Sequence, residues 1–200
     1  MHAAARRRGR HRRVRALPGR PFAAGAARVE PDREGRIARA DSIRPCAADD
    51  REAILTIVNA AAEAYRGVIP ADRWHEPYMS SEELAGEVDA GVEFWGCEDD
   101  GELVGVIGIQ PLGDVDLIRH AYVSPGSQRK GIGGALLEHV SSAATQPILV
   151  GTWADAEWAI SFYLRHGFEL QSPERSAELL RAHWTIPDRQ IETSLVLAKR

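Results

Sequence analysis

Ala121-Tyr122-Val123-Ser124-Pro125-Gly126-Ser127-Gln128-Arg129-Lys130-Gly131-Ile132-Gly133-Gly134-Ala135-Leu136-Leu137 is the stretch on which the reading of this chain turns. An apolar strand ends at Val123, Ser-Pro-Gly breaks it, and an apolar helix starts after Gly131. Between them lies a loop rich in glycine and cations. Such a loop offers consecutive backbone N–H groups at the positive end of a helix, and Arg129 and Lys130 add full charges, so the segment suits a pyrophosphate. Glycine lets an anion approach the main chain closely. Two phosphate motifs are excluded by spacing. A P-loop needs Lys-Ser/Thr after its second glycine, where Ile132-Gly133 stands. A dinucleotide fingerprint needs a small third residue at 136, which is Leu.

Working outward, the C-terminal side alternates: helix 133–144, strand 148–153, helix 156–166, strand 168–171, a polar helix 174–183 and a last strand 192–198. The N-terminal side starts with a short strand at 42–46. A helix capped by Asp49 or Asp50 follows, with Ile54, Ile57, Val58 and Ala61 on its apolar face. After a loop containing Trp74, His75 and Tyr78, Ser80 or Ser81 opens a helix carrying Leu84 and Val88. Strands 93–97 and 103–109 flank Asp100-Gly101, a hairpin signal, and strand 116–123 leads into the loop. Antiparallel pairing followed by strand-helix alternation predicts an α+β (mixed α/β) fold, one domain over 41–200 with helices on both faces of its sheet.

Composition excludes other classes. The apolar stretches, such as 103–109, fall far short of the roughly 20 residues that cross a bilayer. Residues 1–40 hold 12 Arg against 3 acids, whereas 41–200 hold 13 Lys or Arg against 26 acids, a basic arm on an acidic body. The arm is expected to be disordered, and its charge alone implies weak, salt-sensitive nucleic-acid binding. Cys46 and Cys97 have no paired spacing, which points to free thiols and a cytoplasmic location. The seven His show no ligand spacing, so no metal is expected.

Gln128-Arg129-Lys130-Gly131-Ile132-Gly133, behind Val-Ser-Pro, closely resembles the acetyl-CoA signature of the GNAT superfamily of acyl-CoA-dependent N-acetyltransferases. A second stretch agrees: Thr152-Trp153-Ala154-Asp155-Ala156-Glu157-Trp158-Ala159-Ile160-Ser161-Phe162-Tyr163-Leu164-Arg165-His166-Gly167-Phe168 resembles the family's later motif, a helix with Ala-x-x-Phe-Tyr ending at Gly-Phe.

The resemblance implies a central, mostly antiparallel sheet splayed at the acetyl-CoA site. It also implies cofactor contacts from Ala121, Tyr122, Val123, Gln128, Arg129, Lys130, Gly131, Ile132, Gly133, Gly134 and Ala135. An amine would attack the thioester directly in a ternary complex, with the Val123 N–H polarising the carbonyl and Tyr163 as general acid. Counting back from Val123, Leu117 stands where family members often place a Glu, which leaves Asp116 and His120 as substitute bases. Ala156 stands where the family often has Asn. The acceptor, a small-molecule or peptide amine, is expected between residues 65–79 and 173–188, near Trp74, His75, Tyr78, His183 and Trp184. The last strand and the sheet edge are candidates for a homodimer contact. The alternative is an acyl-CoA-binding sensor without turnover, which the missing Glu and Asn would permit.

Overall fold

The computed structural model describes residues 42–200, so the expectations for the arm at 1–40 lie outside the described residues. The strands are β1 (Ile43–Pro45), β2 (Glu93–Asp99), β3 (Glu102–Pro111), β4 (Asp116–Val123), β5 (Ile148–Trp153), β6 (Glu169–Leu170) and β7 (Ser194–Lys199). They form one sheet in the order β1-β2-β3-β4-β5-β7-β6. Every neighbouring pair is antiparallel except β4 with β5. The β2–β3 hairpin turns at Asp100 and Gly101, both left-handed at φ 53° and 85°, which is the backbone that matches strand twist and that Asp-Gly tolerates.

The helices are α1 (Arg51–Ala62), α2 (Ser81–Asp89), α3 (Ile132–Ala143), α4 (Glu157–Arg165), α5 (Pro173–His183) and the short α6 (Asp188–Glu192), which the sequence reading did not anticipate. Two apolar clusters flank the sheet. One packs Ile54, Val58 and Leu84 of α1 and α2 against Val106 and Tyr122. The other packs Leu136 and Val140 of α3 and Leu180 of α5 against Ile107, Val123 and Val196. α4 joins both: Ala159 belongs to the first cluster, and Phe162 and Tyr163 belong to the second.

Two expectations need correction. Asp50 precedes α1 but does not cap it; its carboxylate accepts from the Ala47 N–H at 2.6 Å and from both ends of the Arg44 guanidinium at 2.7 and 2.9 Å. The buried face of α2 is Leu84 with Glu87, whereas Val88 is 38% exposed. Of the two candidates for a homodimer contact, the last strand, β7, lies inside the sheet between β5 and β6, and the sheet edges are β1 and β6. Ser80 does cap α2: its Oγ accepts from the Glu83 N–H at 3.2 Å, and the Glu83 carboxylate accepts from the Ser80 N–H at 2.8 Å.

Candidate active site

The parallel pairing of β4 and β5 covers only Asp116↔Ile148, Leu117↔Leu149 and Ile118↔Val150. Beyond Ile118 and Val150 the two strands part. The Ser124 N–H donates to the Val104 carbonyl at 2.9 Å, so Tyr122 and Ser124 turn their backbone groups toward β3. Strand alternation then aims those of Ala121 and Val123 into the split. The Val123 carbonyl accepts from Gln128 Nε2 at 3.2 Å, which folds the following loop back onto the strand end.

That loop delivers an open helix start. Gly131, the N-cap of α3, has φ 82°, a conformation that glycine adopts without strain. No side chain caps α3, and its first turn holds no acid. The orphan N–H groups of that turn and the positive helix end therefore face outward beside the exposed Arg129 and Lys130. Arg129 itself is left-handed at φ 65°. A small hollow between Ala121, Val123, Gly133 and Phe162 connects this helix start with the split. The side chains of Ile132 and Tyr122 are buried, so both can meet a ligand there only through their backbones.

Tyr163 is fully buried, and its hydroxyl has no hydrogen-bond partner among the described residues. Its ring is wedged edge-on between Phe162 and Phe168, at 5.2 and 5.4 Å. Burial raises its pKa well above the ordinary phenol range. The chain has four tyrosines, and the other three lie around Tyr122. Burial, then the phenols of Tyr78 and Tyr65, a hydrogen bond with Tyr78, and Tyr163 push the Tyr122 hydroxyl up as well.

The two base candidates part company here. Asp116 begins β4 at its paired end, six residues from Tyr122 or roughly 20 Å along a strand, and so stands away from the split. His120 lies on the same face as Tyr122, its ring stacked between Phe94 at 5.5 Å and Tyr122 at 6.3 Å.

Behind His120 is an ion pair that the sequence reading missed. The register slips between Gly108↔His120 and Ile109↔Ile118, leaving Arg119 as a bulge residue. Arg119 and His120, which strict alternation would send to opposite faces, therefore both reach Glu87 of α2. Arg119 donates to Glu87 from Nε at 3.2 Å and Nη2 at 3.0 Å, and His120 Nε2 lies 3.6 Å from Oε2. Burial pushes the Glu87 carboxyl up, but His120 and Arg119 outweigh it and hold it down at about 2. The available signal was an acid three residues after Leu84, on that helix's apolar face.

Trp74, His75 and Tyr78 do come together, lining a cavity of about 170 Å³. Asn59 pins their loop, donating to the Met79 carbonyl at 3.0 Å and accepting from its N–H at 2.8 Å. The far wall is Trp153 and Gln190 rather than segment 173–188. Trp184 is instead packed into the cluster under α3 and α5. Tyr78 meets Tyr122 edge-on at 6.4 Å, so this cavity borders β4 from the face opposite α3. Ala156 is the buried N-cap of α4 and makes no side-chain cap hydrogen bond.

Residues 90–170 match the sequence profile of the acetyltransferase (GNAT) domain. This span is a GNAT acetyltransferase domain. The GNAT fold extends beyond the matched region. The PaiA N-acetyltransferase of Thermoplasma acidophilum, solved in complex with coenzyme A, is 19% identical and superposes with a TM-score of 0.61 over 79% of this chain and 97% of its own. The ribosomal-protein-S18-alanine N-acetyltransferase of Escherichia coli is 18% identical, with a TM-score of 0.55 over 78% and 90%. A GNAT family acetyltransferase of Elizabethkingia anophelis with acetyl-CoA bound is 20% identical, with a TM-score of 0.51 over 79% and 96%. Among the described residues, no helix is long and apolar enough to cross a membrane, and no group of three or more His, Cys, Asp or Glu could hold a metal ion.

Proposed function

We propose that this GNAT domain, which the chain forms within residues 41–200, transfers the acetyl group of acetyl-CoA to a primary amine by direct attack in a ternary complex. One observation carries the reading: the split between β4 and β5 is flanked by an uncapped, acid-free helix start, and beside Tyr122 of β4 lies a buried tyrosine hydroxyl, that of Tyr163, with no hydrogen-bond partner among the described residues. The group those residues fit is a diphosphate joined to a thioester. The N–H groups opening α3, with Arg129 and Lys130, would hold the diphosphate. Acetyl-CoA supplies the activated acetyl thioester when bound, and two of the related structures hold CoA or acetyl-CoA.

The chain's residues then have separate tasks. The Val123 N–H, aimed into the split, donates to the developing negative charge on the carbonyl oxygen. His120 takes one proton from the acceptor ammonium, directly or through water, and Glu87 holds it in place. Tyr163, kept protonated by burial, gives its proton to the leaving sulfur as the carbon–sulfur bond breaks. The second amine proton, lost once the carbon–nitrogen bond has formed, restores it. The tasks assigned to Leu117 and Ala156 elsewhere in the family are not carried by these apolar residues. The free Cys46 and Cys97 support a reducing, cytoplasmic setting.

The test is thiol release from acetyl-CoA over an amine panel, beside Tyr163→Phe. Acceptor-dependent release that drops about a hundredfold in the variant is expected. CoA binding with only background release for every amine would favour the sensor.

A further inference from the structure

We propose that the cavity bordered by Trp74, Tyr78 and Trp153 selects acceptors that carry a carboxylate, so that the acetylated substrate is a small amine of amino-acid type. The inference rests on the acetyl-transfer reading and names its acceptor. Two residues that line the cavity each hold a buried N–H donor with no acceptor among the described residues. Trp153 is 2% exposed, and its Nε1–H has no hydrogen-bond partner among the described residues. Arg73 Nε is likewise buried without one, and no carboxylate among the described residues forms an ion pair with this guanidinium.

Buried donors left unpaired are costly, and that cost is recovered when a ligand brings oxygen acceptors. An ammonium cannot satisfy them; a carboxylate satisfies both and also neutralises Arg73. The one acid in the wall, Asp72, is 61% exposed and faces Arg189 at 3.9 Å, so it leaves the two donors to a ligand.

Size and position agree. The cavity, about 170 Å³, is comparable with one of about 150 Å³ that admits benzene, which is room for a head group of a few heavy atoms. Trp153 ends β5 beyond its pairing with β4, and Tyr78 touches Tyr122 of β4. A carboxylate held by Arg73 and Trp153 therefore leaves an amine a few bonds away facing the split.

The full chain is assayed for thiol release from acetyl-CoA with matched acceptors: a short amino acid, its carboxamide and its decarboxylated amine. The expected kcat/KM for the acid exceeds that for the amine by about tenfold or more, carried by KM. In Arg73→Ala that ratio falls toward one, Arg73→Lys keeps part of it, and Trp153→Phe, which retains a ring but loses the N–H, lowers it. Equal rates for the three acceptors, or an unchanged ratio in Arg73→Ala, overturn the carboxylate proposal and leave acetyl transfer standing. If no acceptor is turned over, acetyl transfer fails instead, and binding decides the pocket. The acid must then raise the Tm of the CoA-mixed chain more than the amine does, and an equal or absent shift overturns the proposal.

Discussion

Arg119 and Glu87, 32 residues apart, form a two-point ion pair in which both side chains are more than nine-tenths buried. The pair ties α2 to the bulge of β4 beside His120. A buried guanidinium left without its counter-charge is expensive, so Glu87→Gln is expected to lower stability by about 3–5 kcal/mol, whereas replacing both partners by apolar residues costs less. Chemical denaturation measures both; a loss below 1 kcal/mol for Glu87→Gln would contradict the pairing.

The same carboxylate gives a pH signature. Its pKa is lowered from 4.5 to about 2, so its contribution is fully present above the unfolded value and is lost as pH falls from about 4.5 through 2. Thermal melts of the parent should decline across that window, and Glu87→Gln should lack this component.

Tyr163→Phe separates chemistry from packing. Because the hydroxyl is buried with no partner among the described residues, its removal should leave stability within about 1 kcal/mol of the parent or raise it. Activity should nevertheless fall about a hundredfold. A variant that loses stability and activity together would reassign Tyr163 to the core.

Arg129 tests the loop. Its left-handed backbone costs roughly 1–2 kcal/mol that glycine avoids, while glycine loses roughly 0.5–1 kcal/mol more chain entropy on folding. Arg129→Gly should therefore keep or slightly raise stability while weakening CoA binding severalfold, and its affinity should depend less on salt. Calorimetry at two ionic strengths checks this.

Gly134 is coupled to His166. A Cβ there would lie 2.8 Å from His166 Nε2, and the ring is held by Nδ1 contacting the Phe162 carbonyl oxygen at 2.8 Å. Gly134→Ala should cost about 1–3 kcal/mol despite alanine's better helix propensity. Adding His166→Ala should recover part of that loss, which a double-mutant cycle would read as non-additivity.

The sequence by itself determined the elements whose signals are local. Asp100-Gly101 specified a left-handed two-residue turn, Ser80 with Glu83 specified a helix start, and Gly131 marked the loop that opens α3. Each depends on backbone preferences and on neighbours within four residues. The matched stretch around Gln128-Arg129-Lys130-Gly131 was legible for the same reason, since an anion cradle is made from consecutive amides.

Only the tertiary structure decided the rest. A single bulge residue, Arg119, reversed the facing of its neighbours and brought two cations to one buried acid, which no period-two reading contains. The parting of β4 from β5 after three residue pairs exposed the Val123 edge and left Asp116 at the wrong end of its strand. The orphan donors Arg73 and Trp153, 80 residues apart in the chain, share a cavity only because α1 anchors one loop through Asn59 and β5 ends beside it. Long-range packing sets such juxtapositions, and composition, spacing and periodicity are blind to it.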